Sequence, residues 1–296
     1  MARPNLAIYS ALGADILIAI TKFAAGIVSR SSAMIAEGVH SLVDTVNELL
    51  LLYGIHRSNK ERDEDHPFGY GRELYFWSFI VSILIFSFGA GVAFVQGYLH
   101  LKQPAAMGSM TWNYIVLGFS FLFEGISFLI AFRKFRKTTQ QPMWTAIIES
   151  KDPTDFIVLF EDGAAVVGVV VVFVLLYIGE RTGNPYLDGI ASLVVGVILT
   201  VASMLLARES RSLLIGEGIS ERTKKGIIDI VHGGAAGFFV KRLASIYEGP
   251  DEVLLVLILE VRPELATWEL TDRMDEIKAK IKERYPRITY IIIQPE

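Results

Sequence analysis

The sequence predicts a polytopic α-helical membrane protein with six transmembrane helices and a C-terminal cytoplasmic α+β domain. Composition is the first reason: of 296 residues 52% are hydrophobic and 20% charged, with a mean hydropathy of +0.44. That is too apolar for an ordinary soluble domain. Patterning is the second, because six apolar stretches are each about long enough for a hydrocarbon core, which takes roughly 20 helical residues. The third is an abrupt change after Ala207, where Arg208, Glu209 and Arg211 open a charged tail. The chain has no cysteine, which excludes disulfides and thiolate metal sites. A net charge of −4 without a long basic run gives no footprint for nucleic acid.

The six stretches are residues 6–28, 33–55, 75–99, 112–132, 156–178 and 187–206. The opening segment, MARPNLAIYSALGADILIAIT, lacks a small-residue cleavage site and reads as a retained span, not a signal peptide. Arg57, Lys60, Arg62 and Arg72 lie between spans two and three, and Arg133, Lys134, Arg136, Lys137 and Lys151 between four and five. The opposite loops hold Arg30, Lys102 and Arg181, so the positive-inside rule places both termini in the cytoplasm. Residues 1–209 then form the transmembrane domain and 210–296 the cytoplasmic one. In the tail, SERTKKGIIDIVHG reads as an amphipathic helix and FVKRLASIYEG as a strand ending in a GPD turn. DEVLLVLILEV is a Val/Ile/Leu-rich strand. A helix with the stripe Leu270, Met274, Ile277 and Ile281 follows, and RITYIIIQP closes as a strand. The order αββαβ implies helices on one face of a small sheet.

Ionisable residues inside the spans each cost about 2.5–3.5 kcal/mol at mid-membrane, so they mark sites. Glu37, His40 and Asp44 fall at i, i+3 and i+7 on one helix face; Glu48 continues the stripe and Asn47 flanks it. Imidazole and carboxylate together suit Zn²⁺ or a similar divalent ion; an interhelical hydrogen-bond network is the alternative. The fifth span carries Glu161 and Asp162, followed by Gly163, Ala164 and Ala165, small residues that let another helix approach. Neighbours on a helix stand about 100° apart, so the two carboxylates cannot face one ion equally; Asp162 is favoured and Glu161 comes second. Asp15 and Lys22 read as an internal charge pair, or Lys22 snorkels. Glu124 in span four is isolated, and Asp188 sits near the outer surface, where a carboxylate is not costly. In the loop after span two, Asp63, Glu64, Asp65 and His66 are either a second metal site or a solvated charged string.

HSLVD in span two, DHPFGYGRE in the next loop and NPYLDGIASLVVGVIL in span six resemble the cation diffusion facilitator family of divalent-metal transporters. The resemblance implies a homodimer, a ferredoxin-like cytoplasmic tail, and a transport site between the second and fifth helices. His40 and Asp44 match the second-helix ligand pair and Asp162 the fifth-helix aspartate. Val158 stands where the fifth helix commonly carries another ligand, and it cannot coordinate. The chain is similar here to the branch with a Glu-Asp pair, so Glu161 completes the site, or else Glu37, Asn47 or water does. Glu37 and Asn47 otherwise stand behind the ligands or in a proton relay. Asp63 and His66 align with the family's second, cytoplasmic metal site, and Tyr70 stands where some members carry a further His. His232 is the one histidine of the tail, so the binuclear zinc site of some family tails is expected to be missing and the tail to serve dimerisation.

The function expected is proton-coupled efflux of a divalent cation, zinc first, by alternating access in a lipid bilayer. It needs no prosthetic group, because the metal is substrate, and it is no enzyme, since no nucleophile–base set or phosphate-cradling loop is found. Ligands must lose protons to coordinate, which lets metal and protons compete for the same groups. The alternatives are a Mn, Fe, Co or Ni exporter on the same scaffold, or a membrane metal sensor or assembly partner that moves no ions. The short N-terminus suggests a bacterial inner membrane.

Overall fold

A computed structural model describes residues 6–104, 110–138, 145–147, 150–234, 238–261 and 267–296. The chain divides into two compact units, Met1–Gly54 with Phe76–Ser210, and Ile55–Tyr75 with Arg211–Glu296. The first is built from long helices: α1 (Leu6–Ser29), α2 (Ser32–Ser58), α3 (Arg72–Lys102), α4 (Thr111–Thr138), α5 (Pro153–Thr182) and α6 (Tyr186–Ile215). Among the described residues, four helices are long and apolar enough to cross a membrane, namely those covering Arg72–Lys102, Thr111–Lys137, Phe156–Thr182 and Tyr186–Ile215. Six spans are expected from the sequence; four meet both criteria. In α2 the length is present, at 27 residues, but His40, Asp44, Asn47 and Glu48 dilute its apolar run.

Local chemistry sets the helix ends. Arg30 takes a left-handed conformation (φ 58°) after α1, and the Ser31 N–H bonds back to the Gly26 carbonyl at 3.0 Å, which closes the helix. At the start of α5, Asp152 accepts the Thr154 N–H at 2.9 Å, with Pro153 in the first turn. Within α3, Ile85–Ala90 form a π-helical turn. The α3 and α6 backbones approach closely through Gly97 and Gly189. A Cβ on Gly97 would lie 2.8 Å from the Gly189 carbonyl, so only glycine fits.

Asp188 departs from the expectation of a cheap surface carboxylate, because it is fully buried. It accepts hydrogen bonds from the Ser31 hydroxyl (2.5 Å), the Ser32 N–H (2.5 Å) and the Ala33 N–H (3.2 Å), while His100 Nδ1 stands 3.5 Å away. The free N–H groups at the start of α2 thus find their acceptor on α6, and the helix dipole offsets burial of the charge. This cap fixes the start of the helix that carries His40 and Asp44.

The second unit holds α7 (Glu221–Gly234), β1 (Phe238–Gly249), β2 (Glu252–Val261), α8 (Thr267–Arg284) and β3 (Ile288–Pro295). Its three-stranded sheet has the order β1-β2-β3, with β1 and β2 antiparallel and β2 and β3 parallel. Val253, Leu255, Leu257 and Leu259, alternate residues of β2, are buried against Ile227 and Val231 of α7 and Ile277 and Ile281 of α8. Both helices therefore cover one face, and the predicted stripe supplies the contact.

The loop before α3 packs within this second unit. Arg72 reaches Glu248 with two nitrogens, at 2.9 and 3.1 Å, and Arg62 bonds Glu252 at 2.7 Å. Gly71 lies so near β1 that a Cβ there would stand 2.3 Å from the Glu248 carbonyl oxygen. The glycine and arginine of the sequence FGYGRE are thus packing residues.

Candidate cation site

α2 turns its costly residues inward and its apolar ones outward. Glu37, His40 and Asn47 are buried, whereas Leu42, Val46, Leu49 and Tyr53 are exposed. That reverses a soluble helix and suits a lipid surround. His40 Nδ1 and Asp44 Oδ1 lie 3.3 Å apart, one turn from each other. His40 is 2% exposed, and among the described residues neither of its ring nitrogens has a hydrogen-bond partner. A buried imidazole nitrogen left unpaired is costly, and a ligand is one explanation.

α5 brings Glu161 and Asp162 to the same place. Both line a cavity of about 470 Å³ together with Asp44 and Glu48 of α2, Asp15 of α1, and Glu124 and Ser127 of α4. Val158 lines it too and offers no donor. Asn47 Nδ2 donates to Glu161 Oε1 at 2.8 Å, while the Ser127 hydroxyl donates to Asp162 Oδ2 at 2.6 Å. Each carboxylate of the pair is therefore held by a different helix, as the 100° between neighbours requires. Asp15 of α1 and Glu48 of α2 meet on one wall of this cavity.

Asp44, Glu161 and Asp162 thus share a cavity, and His40 stands behind Asp44. Among the described residues, however, no three His, Asp or Glu side chains converge closely enough to hold one metal ion. Glu37 lies deeper, 3.1 Å from the Lys22 ammonium. Lys22 also reaches Glu124 at 2.8 Å and the Ser41 hydroxyl at 2.9 Å. The expected Asp15–Lys22 pair is replaced by these bonds, because Lys22 is buried against α2 and α4. Sequence reasoning placed the site between two helices and missed the contribution of α4. The signal available was the i, i+3 spacing of Glu124 and Ser127, which sets both on one face.

In the loop, Asp63 and His66 do meet: His66 Nδ1 is 3.3 Å from Asp63 Oδ1, and the His66 N–H donates to the same oxygen at 2.9 Å. The other Asp63 oxygen accepts the Tyr70 hydroxyl at 2.5 Å and the Lys60 ammonium at 2.9 Å. Those two partners, Tyr70 first, hold the Asp63 carboxyl well below the usual carboxylate range. Lys60 also donates to the Tyr70 hydroxyl at 2.7 Å, and this bond first, then the one to Asp63, raises its ammonium above its ordinary value.

A bundle of apolar helices around a cavity of carboxylates, with a buried imidazole beside it, defines an integral membrane protein that handles cations. The chain belongs to the cation efflux family: residues 8–215 match the model of the cation efflux transmembrane domain. This is the cation diffusion facilitator family inferred from the motifs, a family of divalent-metal transporters and not of enzymes. The chain is 33% identical over 251 residues to metal tolerance protein C4 of Arabidopsis thaliana, covering 84% of this chain and 54% of that protein. It is 34% identical over 213 residues to the mitochondrial proton-coupled zinc antiporter SLC30A9 of Mus musculus, covering 71% of this chain and 38% of that protein. The chain thus spans about half, or less, of the length of these two relatives. The manganese efflux system protein MneP of Bacillus subtilis is 25% identical over 292 residues, covering 96% of this chain and 92% of that protein.

Proposed function

We propose that this protein exports a divalent cation, zinc first, in exchange for protons. The observation that carries the reading is the shared cavity of Asp44, Glu161 and Asp162, with His40 3.3 Å from Asp44. His40, Asp44 and Asp162 are the ligands, and Glu161 is the fourth. Arrival of the metal draws the α2 and α5 donors together, because the carboxylates now held by Asn47 and Ser127 must turn toward one ion. That inward step is the conformational half of alternating access around a fixed site.

Proton exchange follows from the same groups, since carboxylates and imidazole coordinate only without their protons. The further carboxyl groups of Asp15, Glu48 and Glu124 on the same cavity wall support the reading, because they offer protons a place beside the metal. Glu37 and Asn47 act from behind the ligands, Glu37 through Lys22 and Asn47 through Glu161.

On this reading residues 1–209 form six transmembrane helices, α1 and α2 included, and residues 210–296 a ferredoxin-like domain that joins two copies in a homodimer. Both termini face the cytoplasm of a bacterial inner membrane. Asp63 and His66 form a second, cytoplasmic metal site once the metal displaces the Lys60 ammonium. Manganese is the second reading for the substrate, favoured by the carboxylate-rich cavity and by the full-length match to a manganese efflux protein.

The test is zinc uptake into proteoliposomes under a proton gradient. His40→Ala and Asp44→Ala should each abolish uptake while the protein remains folded and inserted. Near-wild-type uptake in both variants refutes the site.

A further inference from the structure

Lys22 is fully buried in the C-terminal half of α1, and an unpaired ammonium is among the most costly groups a membrane helix can carry. Its ammonium has three N–H donors and uses them on Glu37 Oε2 (3.1 Å), Ser41 Oγ (2.9 Å) and Glu124 Oε1 (2.8 Å). These partners belong to α2 and α4, so the residue points into the bundle and does not snorkel. Glu37 is as buried as Lys22, whereas Glu124 lines the cation cavity with Asp44, Glu161 and Asp162. Glu124 Oε2 has no hydrogen-bond partner among the described residues.

The cavity walls carry six carboxyl groups: Asp15, Asp44, Glu48, Glu124, Glu161 and Asp162. A dication offsets two carboxylate charges, and the same wall holds four more carboxyl groups. A cation held against such an excess binds tightly and leaves slowly, and transport requires release as well as capture. From these distances and this charge count we infer that Lys22 is a resident counter-cation. It is a positioning residue that acts through Glu124: it offsets part of the cavity's negative charge and fixes the Glu124 carboxylate at the wall. Its charge thereby sets the affinity for divalent cations and favours their release. The inference rests on the cavity being the cation route proposed above.

Electrostatics assigns opposite signs to the two ends of the pair, whereas a purely structural bridge does not. Equilibrium Zn²⁺ binding to the purified full chain in detergent reads the sign independently of transport. Lys22→Gln leaves the carboxylates uncompensated and should lower the Kd about three- to tenfold, while Glu124→Gln should raise it by a similar factor. Lys22→Arg keeps the charge and should stay within about twofold of wild type, as should the double variant Lys22→Gln with Glu124→Gln. In proteoliposomes Lys22→Gln should lower both KM and kcat for Zn²⁺, the signature of tighter holding with slower release. Weaker binding in Lys22→Gln, or a double variant no nearer wild type than the worse single one, overturns the inference. If Lys22→Gln does not fold, because it leaves Glu37 buried without its ammonium, Glu124→Gln decides: a Kd raised about three- to tenfold supports the charge pair, and an unchanged or lowered Kd refutes it. Absence of Zn²⁺ flux in wild-type vesicles would instead defeat the transport reading and leave the binding test intact.

Discussion

Replacing Asp188 tests whether α2 is held in place by its neighbour. Asp188→Ala removes three hydrogen bonds, two of them from backbone N–H groups in the first turn of α2. It leaves the Ser32 and Ala33 amides buried beside His100. A hydrogen bond to a charged group is worth about 1.5–3 kcal/mol, and breaking a buried charged contact from one side costs about 3–5 kcal/mol. The expected loss is therefore on the order of 3–5 kcal/mol. For a unit of this size 1 kcal/mol corresponds to about 2–4 °C in Tm, which gives a drop of roughly 6–20 °C. Asp188→Asn keeps one acceptor oxygen and loses the charge at the helix N-terminus, which is worth up to about 2 kcal/mol, so its drop should be roughly 2–8 °C. Thermal unfolding of the detergent-solubilised chain, followed by recovery of monodisperse protein on size exclusion, measures both. Zinc uptake at a permissive temperature should fall in the order wild type, Asn, Ala. A Tm for Asp188→Ala within about 2 °C of wild type would refute the cap and return Asp188 to the surface role read from the sequence.

Two further outcomes follow from the second unit. Gly71→Ala places a Cβ 2.3 Å from the Glu248 carbonyl and 2.9 Å from the Gly249 Cα. Overpacking of this kind costs about 1–3 kcal/mol, visible as faster proteolysis of the loop between α2 and α3. The loop is also acid-resistant by design of its hydrogen bonds. Tyr70 and Lys60 depress the folded value of Asp63, so its contribution is complete above the unfolded value of about 3.9 and disappears only as pH falls through the folded one. Lys60→Met should move that loss to higher pH, read from the Asp63 carboxyl ¹³C shift in selectively labelled protein. An unchanged titration would show that Lys60 does not hold Asp63.

What the sequence made legible was whatever depends on periodicity and on cost. Four of the spans are readable because a hydrocarbon core demands length and apolarity, and the tail because β2 alternates and α8 carries its stripe. His40, Asp44, Glu161 and Asp162 stood out because each is expensive in an apolar helix. Partnerships were less legible, because they depend on which faces meet. Lys22 and Asp15 share a face of α1, yet Lys22 pairs with Glu37 and Glu124 from helices 15 and 102 residues away in sequence. Asp188 looked inexpensive at a helix start. Its partners, the first amides of α2, lie over 150 residues earlier in the chain. Spacing along one helix reveals a face but not its neighbour. The wall formed by α4 was hidden for that reason.

The same geometry bears on which cation the proposed site prefers. Oxygen donors alone suit manganese and other hard ions, whereas imidazole suits zinc, so His40 is the group that divides the two readings. Its Nε2 is buried without a partner among the described residues, and its Nδ1 stands 3.3 Å from Asp44. Neither ring nitrogen is hydrogen-bonded among the described residues, which leaves the buried imidazole open to a ligand. If His40 coordinates, His40→Asp trades the site's nitrogen donor for oxygen and should move its preference from zinc toward manganese. The expected change in the ratio of the two uptake efficiencies is about tenfold or more, at least what losing a group behind a ligand costs in metal affinity. Competition of Mn²⁺ against Zn²⁺ uptake in proteoliposomes reads the ratio directly, and the ratio changes only if the substitution acts on the two ions unequally. A variant that loses uptake of both ions equally would place His40 in the packing of α2 and would leave the carboxylates of α2 and α5 to choose the cation.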